Sequence, residues 1–457
     1  MKDAPRARLS AILIAMEQTM QGWGGAQVSG HELVGENLER LTRDVALCRG
    51  LGRSYGDSSL PPSDHPVAAN TTRADRILSF NPTRDAPDAG LLHAEAGLSL
   101  LDMNRVLMPL GWFTPVTPGT QFVTLGGMVA ADVHGKNQHV AGNIGHHVTR
   151  LRIRVADGRI LWCSPDEHRD LFEATIGGMG LTGHILEIAV QLEPIPSPWI
   201  WQHTERIADI DRFEAALDRA ARAWPMTVGW IDCVSGGRHL GRGILTCGRW
   251  AAPHEAPSAP PRPRLSPRVP FHLPSWAVSG PTVRAFNELF YRKHWRPETT
   301  GVVSPETFFY PLDFVRDWNR AYGRRGFTQW QGLIPRAARP GAARRLLEVL
   351  TRRGGASPLA VIKDCDVDGV GTLSFPGKGT TLALDIAMRD GTQALIDELN
   401  EALLAEGGRI YLAKDSLTRP EHFRAMEGER LERFRAARDR WDPKRRFRSA
   451  QSERLGL

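Results

Sequence analysis

Three glycine-rich stretches fall within 140 residues of this chain, more than turns alone require. Residues 46–59 read ALCRGLGRSYGDSS, with Gly50, Gly52 and Gly56 interleaved by Arg49 and Arg53. Residues 114–137 read TPVTPGTQFVTLGGMVAADVHGKN, and residues 175–185 read TIGGMGLTGHI. Glycines let consecutive N–H groups turn inward into an anion-binding nest, and arginine adds a charge-assisted grip on phosphate. Neither G-x-G-x-x-G opening a helix nor G-x-x-x-x-G-K-[ST] is present, so Rossmann and P-loop readings both fail. One such stretch is equally well a flexible turn. Three exceed what turns require and point to one extended ligand, with a pyrophosphate, held by several loops. The small residues at 129–131 suit a flat ligand lying against backbone.

The chain has 457 residues, too many for one ordinary core, so two or three domains are expected. Short β-branched runs at 75–80, 151–163 and 183–195 read as strands, and an Asp-Gly pair makes 151–163 a hairpin. Residues 98–111 read as an amphipathic helix stopped by Gly111. Residues 164–178 read as another, capped by Ser164. Prolines at 194, 196 and 198 mark a composition shift. Eight of the 22 residues from 253 to 274 are proline, read as an irregular insertion or lid. Helices at 207–224, 342–355 and 392–408 alternate with strand-like 357–365 and 380–388, an α+β pattern. The segment 419–443 reads as helical and stops before Pro443.

The longest apolar run near the start, residues 9–16, is eight long, whereas a membrane-spanning helix needs about twenty. Asp3, Glu17 and the lack of an A-x-A-like site argue against a signal peptide, so the start is read as a helix packed on the domain. Five scattered cysteines without a C-x-x-C pair argue against a disulfide framework or a zinc site. His146 and His147 are adjacent and do not converge on one face, so no metal is expected. A reducing, cytoplasmic setting is the default, with peripheral contact at the inner membrane. The net charge is +7, and residues 415–457 hold twelve Lys or Arg against eight Asp or Glu. There the signs alternate as on a solvated helix, and no RNA-binding aromatic motif accompanies them, so nucleic acid is not an expected partner.

The order R-G-x-G-x-S, then P-G-T, G-G and H-G, then G-G-x-G-x-T-G resembles the flavin domain of the vanillyl-alcohol-oxidase family. That resemblance implies an α+β fold in which two small subdomains bind FAD, joined to an α+β substrate domain with an antiparallel sheet. The expected division is 1–195 for the main FAD-binding part and 196–408 for the substrate domain with its 253–274 insertion. Residues 409–457 are expected to return to the FAD side. FFYPLD, GGRIYLAKDS and DPKRRFRS extend the likeness to a branch of the family that acts on polyprenyl-phosphoryl pentoses. The implied reaction is oxidation of the 2′-hydroxyl to a keto sugar, the first half of an epimerisation towards a cell-envelope arabinose donor. An NAD(P)H-dependent short-chain reductase is the implied partner, and a lipid-linked sugar phosphate the implied substrate. The alternative keeps FAD and takes a soluble sugar or aldonolactone. A third reading is a colourless, basic polyanion-binding protein.

By the same resemblance, FAD contacts fall on Arg49, Gly50, Leu51, Gly52, Arg53, Ser54 and Tyr55 of the first stretch. In the second they fall on Thr117, Pro118, Gly119, Thr120, Gly126, Gly127, Ala130, Asp132, His134, Gly135 and Asn137. In the third they fall on Gly177, Gly178, Gly180, Thr182, Gly183 and Ile185, and Tyr411 completes the set. Arg53 stands where many relatives carry a flavin-tethering histidine, so FAD is expected to be non-covalent. A cysteine that some members place near the flavin is Ala383 here. Lys414, beside Tyr411, is the leading catalytic candidate, to stabilise charge on reduced flavin or hold the substrate in register. His134 is the next, because a neutral imidazole suits proton transfer near pH 7. Substrate contacts are expected from Tyr310, Gln329, Gln331, Lys363, Trp230 and Lys414. Gln329 and Gln331 alternate, so one strand would aim both amides the same way.

Overall fold

The computed structural model describes residues 14–262 and 265–457. Strands Ile14–Gln21, Gln27–Val34, Val67–Asn70 and Leu47–Arg49 form a first sheet in that spatial order. Its first pair is antiparallel and its last two pairings are parallel. A second, antiparallel sheet orders Ile77–Phe80, Leu91–Glu95, His184–Gln191, Val148–Arg154 and Ile160–Cys163. The anticipated hairpin is its last pair, with Leu151 opposite Cys163 and Gly158 at φ +93° in the turn.

The third sheet has eight antiparallel strands. The order is Glu298–Val303, Ile200–Ile207, Gly243–Trp250, Met226–Ile231, Ala360–Cys365, Gly379–Ala387, Phe327–Pro335 and Arg409–Ile410. Helices Ile210–Ala223, Ala342–Arg352 and Thr392–Ala405 present apolar stripes, such as Leu346, Leu347 and Leu350, to the core. Period-2 alternation leaves the other face of these strands, from Gln202 to Asp385, looking into a cavity. Cross-strand register brings Ala383 opposite Gln331 and Asp385 opposite Gln329.

Past residue 410 the chain leaves this sheet and bonds to its N-terminal third. Arg454 donates to both Asp57 carboxylate oxygens at 2.8 Å, and Trp441 Nε1 donates to Asp170 at 2.8 Å. The C-terminal helical segment is two helices, Pro420–Glu427 and Glu429–Trp441, broken at Gly428 with φ +49°.

Two local expectations are corrected. Residues 14–21 are a strand, not a helix: the turn at Gly22–Gly25 folds the run back onto Gln27–Val34, with Gly25 at φ +112°. Residues 1–13 of that stretch lie outside the described residues. Ser164 does not cap the helix that follows. Its Oγ accepts from the N–H groups of Asp166 and Glu167 in a turn, and the helix begins at Arg169 after His168 at φ +50°.

Candidate active site

The glycine stretches and the open face of the eight-stranded sheet enclose a cavity of about 660 Å³. Volumes of ~300–1,000 Å³ are typical of cofactor and ligand sites. The loop 49–56 reaches it because its backbone is pinned on both sides. Trp23 and Gly24 N–H donate to the Ser54 and Tyr55 carbonyls, and Tyr55 N–H donates to Ala413. A Cβ on Gly56 would stand 1.9 Å from the Asp415 carbonyl oxygen, so only glycine lets this loop touch the turn that carries Lys414. Gly52, at φ +64°, closes over the Arg49 guanidinium. Arg49 itself donates to Gln21 O at 2.7 Å and Ser59 O at 3.0 Å and pairs with Glu32. Its cation braces the loop from below.

Arg53 is different. Its guanidinium lies 4.0 Å from the Trp23 ring centre and 5.1 Å from that of Phe122, and its Nε is buried without a hydrogen-bond partner. The second stretch turns into the short helix Leu125–Ala130, whose first turn is capped by Thr124. A Cβ on Gly50 would meet Thr124 Oγ1 at 2.4 Å, so the first two stretches interlock. At Gly119 and Gly180 a Cβ would meet nothing within 4 Å: their backbones face open space.

Most anticipated positions line this one cavity: residues 49–55, 117–120, 126, 127, 130, 134, 135, 180, 183, 185 and 411, and on the sheet side Gln329, Gln331, Lys363, Trp230 and Lys414. Six do not. Tyr310 is buried behind the wall, where its hydroxyl lies 2.6 Å from Thr117 Oγ1 and accepts from Asn104, so it braces the 117–120 loop. Asp132, at φ +40°, accepts from Gly145 N–H, Asn143 and the Ser374 hydroxyl. Asn137 donates to Pro115 O, and Thr182 bonds Thr175. Gly177 and Gly178 pack against Ser374 and Ala174. These residues hold the loops in shape from outside the cavity.

The sheet side gathers cations. Lys414 Nζ sits 3.8 Å over the Tyr55 ring. Burial pulls its pKa well below the ordinary ammonium range; the Asp385 carboxylate opposes this and Lys363 adds to it. Asp385 moves the other way: burial raises it, while Gln329, Lys414 and Tyr322 favour its charged form. Gln329 Nε2 donates to Asp385 Oδ1, and the Tyr322 hydroxyl donates to Oδ2 at 3.4 Å. Lys363, lowered to about 8 by burial, places Nζ 3.4 Å from His134 Nδ1. Burial first, then Lys363 and Lys414, hold His134 neutral. Gln331 Nε2 lies 3.0 Å from His134 Nε2 and donates to it. Both ring nitrogens are occupied by protein partners.

Lys136 and Asp385 escaped the reading of the sequence. Lys136 donates to the Phe308 carbonyl and lies 4.6 Å over the Phe308 ring, and burial lowers it to about 7. Its signal was its place in the H-G-K-N run. Asp385 was signalled by an acid inside an apolar strand, two residues from Ala383 and so on the same face. Tyr411 donates to Ala131 O at 2.8 Å and stacks on Phe375, a support for the His134 shelf. Trp230 Nε1 donates to Pro358 O, and its ring meets Phe290 edge-on at 4.6 Å. His146 and His147 bond local backbone instead of converging, and no group of three metal-ligating side chains occurs among the described residues.

Residues 42–164 match the model of an FAD binding domain. The chain is 32% identical over 423 residues to decaprenylphosphoryl-β-D-ribose oxidase of Mycolicibacterium smegmatis, covering 90% of this chain and 89% of that one. The chain belongs to the vanillyl-alcohol-oxidase-type family of FAD-linked oxidases. It is also 32% identical to an uncharacterized protein of Streptomyces coelicolor, over 79% of this chain and all of that one. A D-arabinono-1,4-lactone oxidase of Yarrowia lipolytica is 25% identical over 36% of this chain and 32% of its own length. As a member of this family the chain is an FAD-dependent oxidoreductase acting on CH–OH groups.

The cavity fits that cofactor. Open backbone at Gly119 and Gly180 leaves room for a flat or anionic group, and Arg53, with its buried Nε unpartnered between two rings, supplies an unsatisfied cationic donor. Loops 49–55, 117–120 and 180–185 are the residues that would hold it. Among the described residues no helix is long and apolar enough to cross a membrane.

Proposed function

We propose that this chain oxidises the 2′-hydroxyl of a polyprenyl-phosphoryl pentose to the keto sugar, the first half of an epimerisation. The observation that carries the reading is the grouping of Lys136, Lys363 and Lys414 with Gln329, Gln331 and Asp385 on one cavity wall. An anionic, polyhydroxylated ligand answers that set: ammonium groups for phosphate, carboxamides for hydroxyls. The apolar neighbours Trp230, Phe290, Leu359 and Val361 suit a prenyl chain.

When bound, FAD supplies the two-electron acceptor for the carbinol hydrogen. The protein's share is to bind, orient and move one proton. Lys136 and Lys363 hold the phosphate, and His134 fixes Lys363 as a positioning residue. Gln329 and Gln331 set the ring so that one hydroxyl meets Lys414. Burial favours the free amine of Lys414, which takes the hydroxyl proton, and Asp385, whose charged form Gln329, Lys414 and Tyr322 favour, balances the resulting ammonium. Arg53 cannot make a histidyl bond, so FAD is held without a covalent link. The keto product requires a separate NAD(P)H-dependent reductase. In this reading residues 1–195 and 409–457 carry the cofactor and 196–408 cap it.

The test is anaerobic flavin bleaching. Polyprenyl-phosphoryl ribose should bleach the purified yellow protein, and free pentoses and aldonolactones should not. Bleaching by a lactone with no response to the lipid phosphate would move the activity to a soluble substrate.

A further inference from the structure

We infer that the helix Gly280–Lys293 and the segments bonded beside it form a docking face for an anionic lipid bilayer, around the mouth of the cavity. The inference rests on the proposed lipid-linked substrate for its purpose, but on separate residues for its evidence. This helix departs from an ordinary surface helix. Its inward side is partly polar: beside buried Val283, Asn287 donates to Asp232 at 2.8 Å, Tyr291 packs under the Arg242 guanidinium at 4.6 Å, and Glu288 pairs with Arg242. Its outward side sets Leu289, 72% exposed, and Phe286, 46%, among exposed Arg284, Arg292 and Lys293. Trp295, just past its end, is 69% exposed.

The neighbouring segment adds Trp276 at 67% and Phe271 at 64% exposure. It is tied to the same rim. Leu273 N–H donates to Arg320 O, Arg316 N–H to Pro267 O, and the turn Ser275–Val278 packs on the helix. Phe286 and Phe290 on one side, and Leu312 and Trp318 on the other, line the cavity itself. A contiguous apolar surface rimmed by polar groups marks an interaction site, and tryptophan favours the membrane–water boundary.

Charge selects the occupant. Among the described residues from 262 to 297 the chain carries Arg262, Arg268, Arg284, Arg292, Lys293 and Arg296 against one acid, Glu288, and Arg268 pairs with Asp317. Glu288 is already paired with Arg242 and Arg292. A second copy docked by a two-fold axis would set these cations against each other. An anionic lipid surface complements them, and its acyl boundary accepts Leu289 and Trp295.

The experiment is flotation of the full-length, FAD-loaded protein with vesicles of phosphatidylcholine alone or with about 30% phosphatidylglycerol, at low and about 0.5 M salt. Binding is expected to the anionic vesicles, and to weaken with salt. Leu289→Ser with Trp295→Ser should weaken it by about tenfold or more, and Arg292→Gln with Lys293→Gln by about fivefold per cation. Flavin absorbance and thermal midpoint should stay unchanged in both pairs. Equal binding to both vesicle types, or none, overturns the inference. So does a dimer in sedimentation that the first pair dissolves, which would make this face a contact between copies. Turnover of detergent-dispersed polyprenyl-phosphoryl ribose is measured alongside. Anionic vesicle binding without that turnover supports the docking face and removes the proposed substrate; turnover without vesicle binding does the reverse.

Discussion

Lys414 Nζ stands 3.8 Å above the ring of Tyr55, 359 residues away in sequence, and joins the first glycine loop to the chain's C-terminal turn. The contact is backed by Tyr55 N–H donating to Ala413 O and by Gly56 lying against Asp415. An ammonium over an aromatic face gains about 0.5–2 kcal/mol, too little to offset its full desolvation. Lys414 is therefore held ready to give up its proton. Replacing it with alanine should leave FAD bound, because loops 49–55, 117–120 and 180–185 that would hold it lie outside the Lys414 turn. Substrate-driven bleaching should fall by about 10²–10⁴-fold, the usual loss of a general base. Stopped-flow absorbance of the anaerobic half-reaction measures it, and unchanged bleaching would remove Lys414 from the proton path.

Asp385 sets when that proton leaves. Its carboxylate raises the Lys414 pKa against the larger, lowering effect of burial. Asp385→Asn removes the raising influence, so Lys414 should deprotonate at lower pH. If free Lys414 amine is the active form, the rate rises with pH through its pKa. The acid limb of the pH profile should then move to lower pH in the variant. A limb that stays in place or moves to higher pH contradicts this coupling.

The glycine loops, the Gln329–Gln331 face and the Asp-Gly hairpin were legible because each is specified within a few residues. A turn needs its own glycine, and alternation needs only its own strand. What could not be read locally depends on distant partners. Tyr310 resembled a substrate ligand until Thr117, 193 residues earlier, took its hydroxyl. Asp132 sat within a flavin-facing stretch, yet Ser374 and Asn143 claim its carboxylate. Lys136 and Asp385 became buried charges only when Phe308 and Gln329 closed over them. Residues 14–21 became a strand because a neighbouring strand offered them a ladder.

Two glycines separate folding from cofactor binding. A methyl on Gly56 would meet backbone, the Asp415 carbonyl, at 1.9 Å, so Gly56→Ala must push the loop off the Lys414 turn. Overpacking of this kind costs about 1–3 kcal/mol, and the thermal midpoint should drop by several degrees with or without FAD. A side chain on Gly119 meets nothing within 4 Å. Gly119→Val should keep the apoprotein's midpoint and raise the Kd for FAD, read by fluorescence titration. Equal effects of the two substitutions on the apoprotein would argue that Gly119 does not face the cofactor.

Lys363 predicts an unusual stability profile. Burial lowers its pKa from 10.5 to about 8, with no carboxylate bonded to it. The unfolded chain keeps the ordinary value, so between these limits the unfolded state binds more protons and stability rises with pH. The penalty is fully present below pH 8 and fades towards pH 10. Discounted for its contact with water in the open cavity, it amounts to about 1–2 kcal/mol. Lys363→Met removes the charge while keeping the length. In denaturant titrations the variant should exceed the parent in stability at pH 7.5, and the gap should close by about pH 10. Inorganic phosphate at pH 7.5 should narrow the gap by stabilising the parent alone, because an anion beside Lys363 raises its pKa again. A gap that ignores both pH and phosphate would assign the difference to packing, and the phosphate role of Lys363 would fall with it.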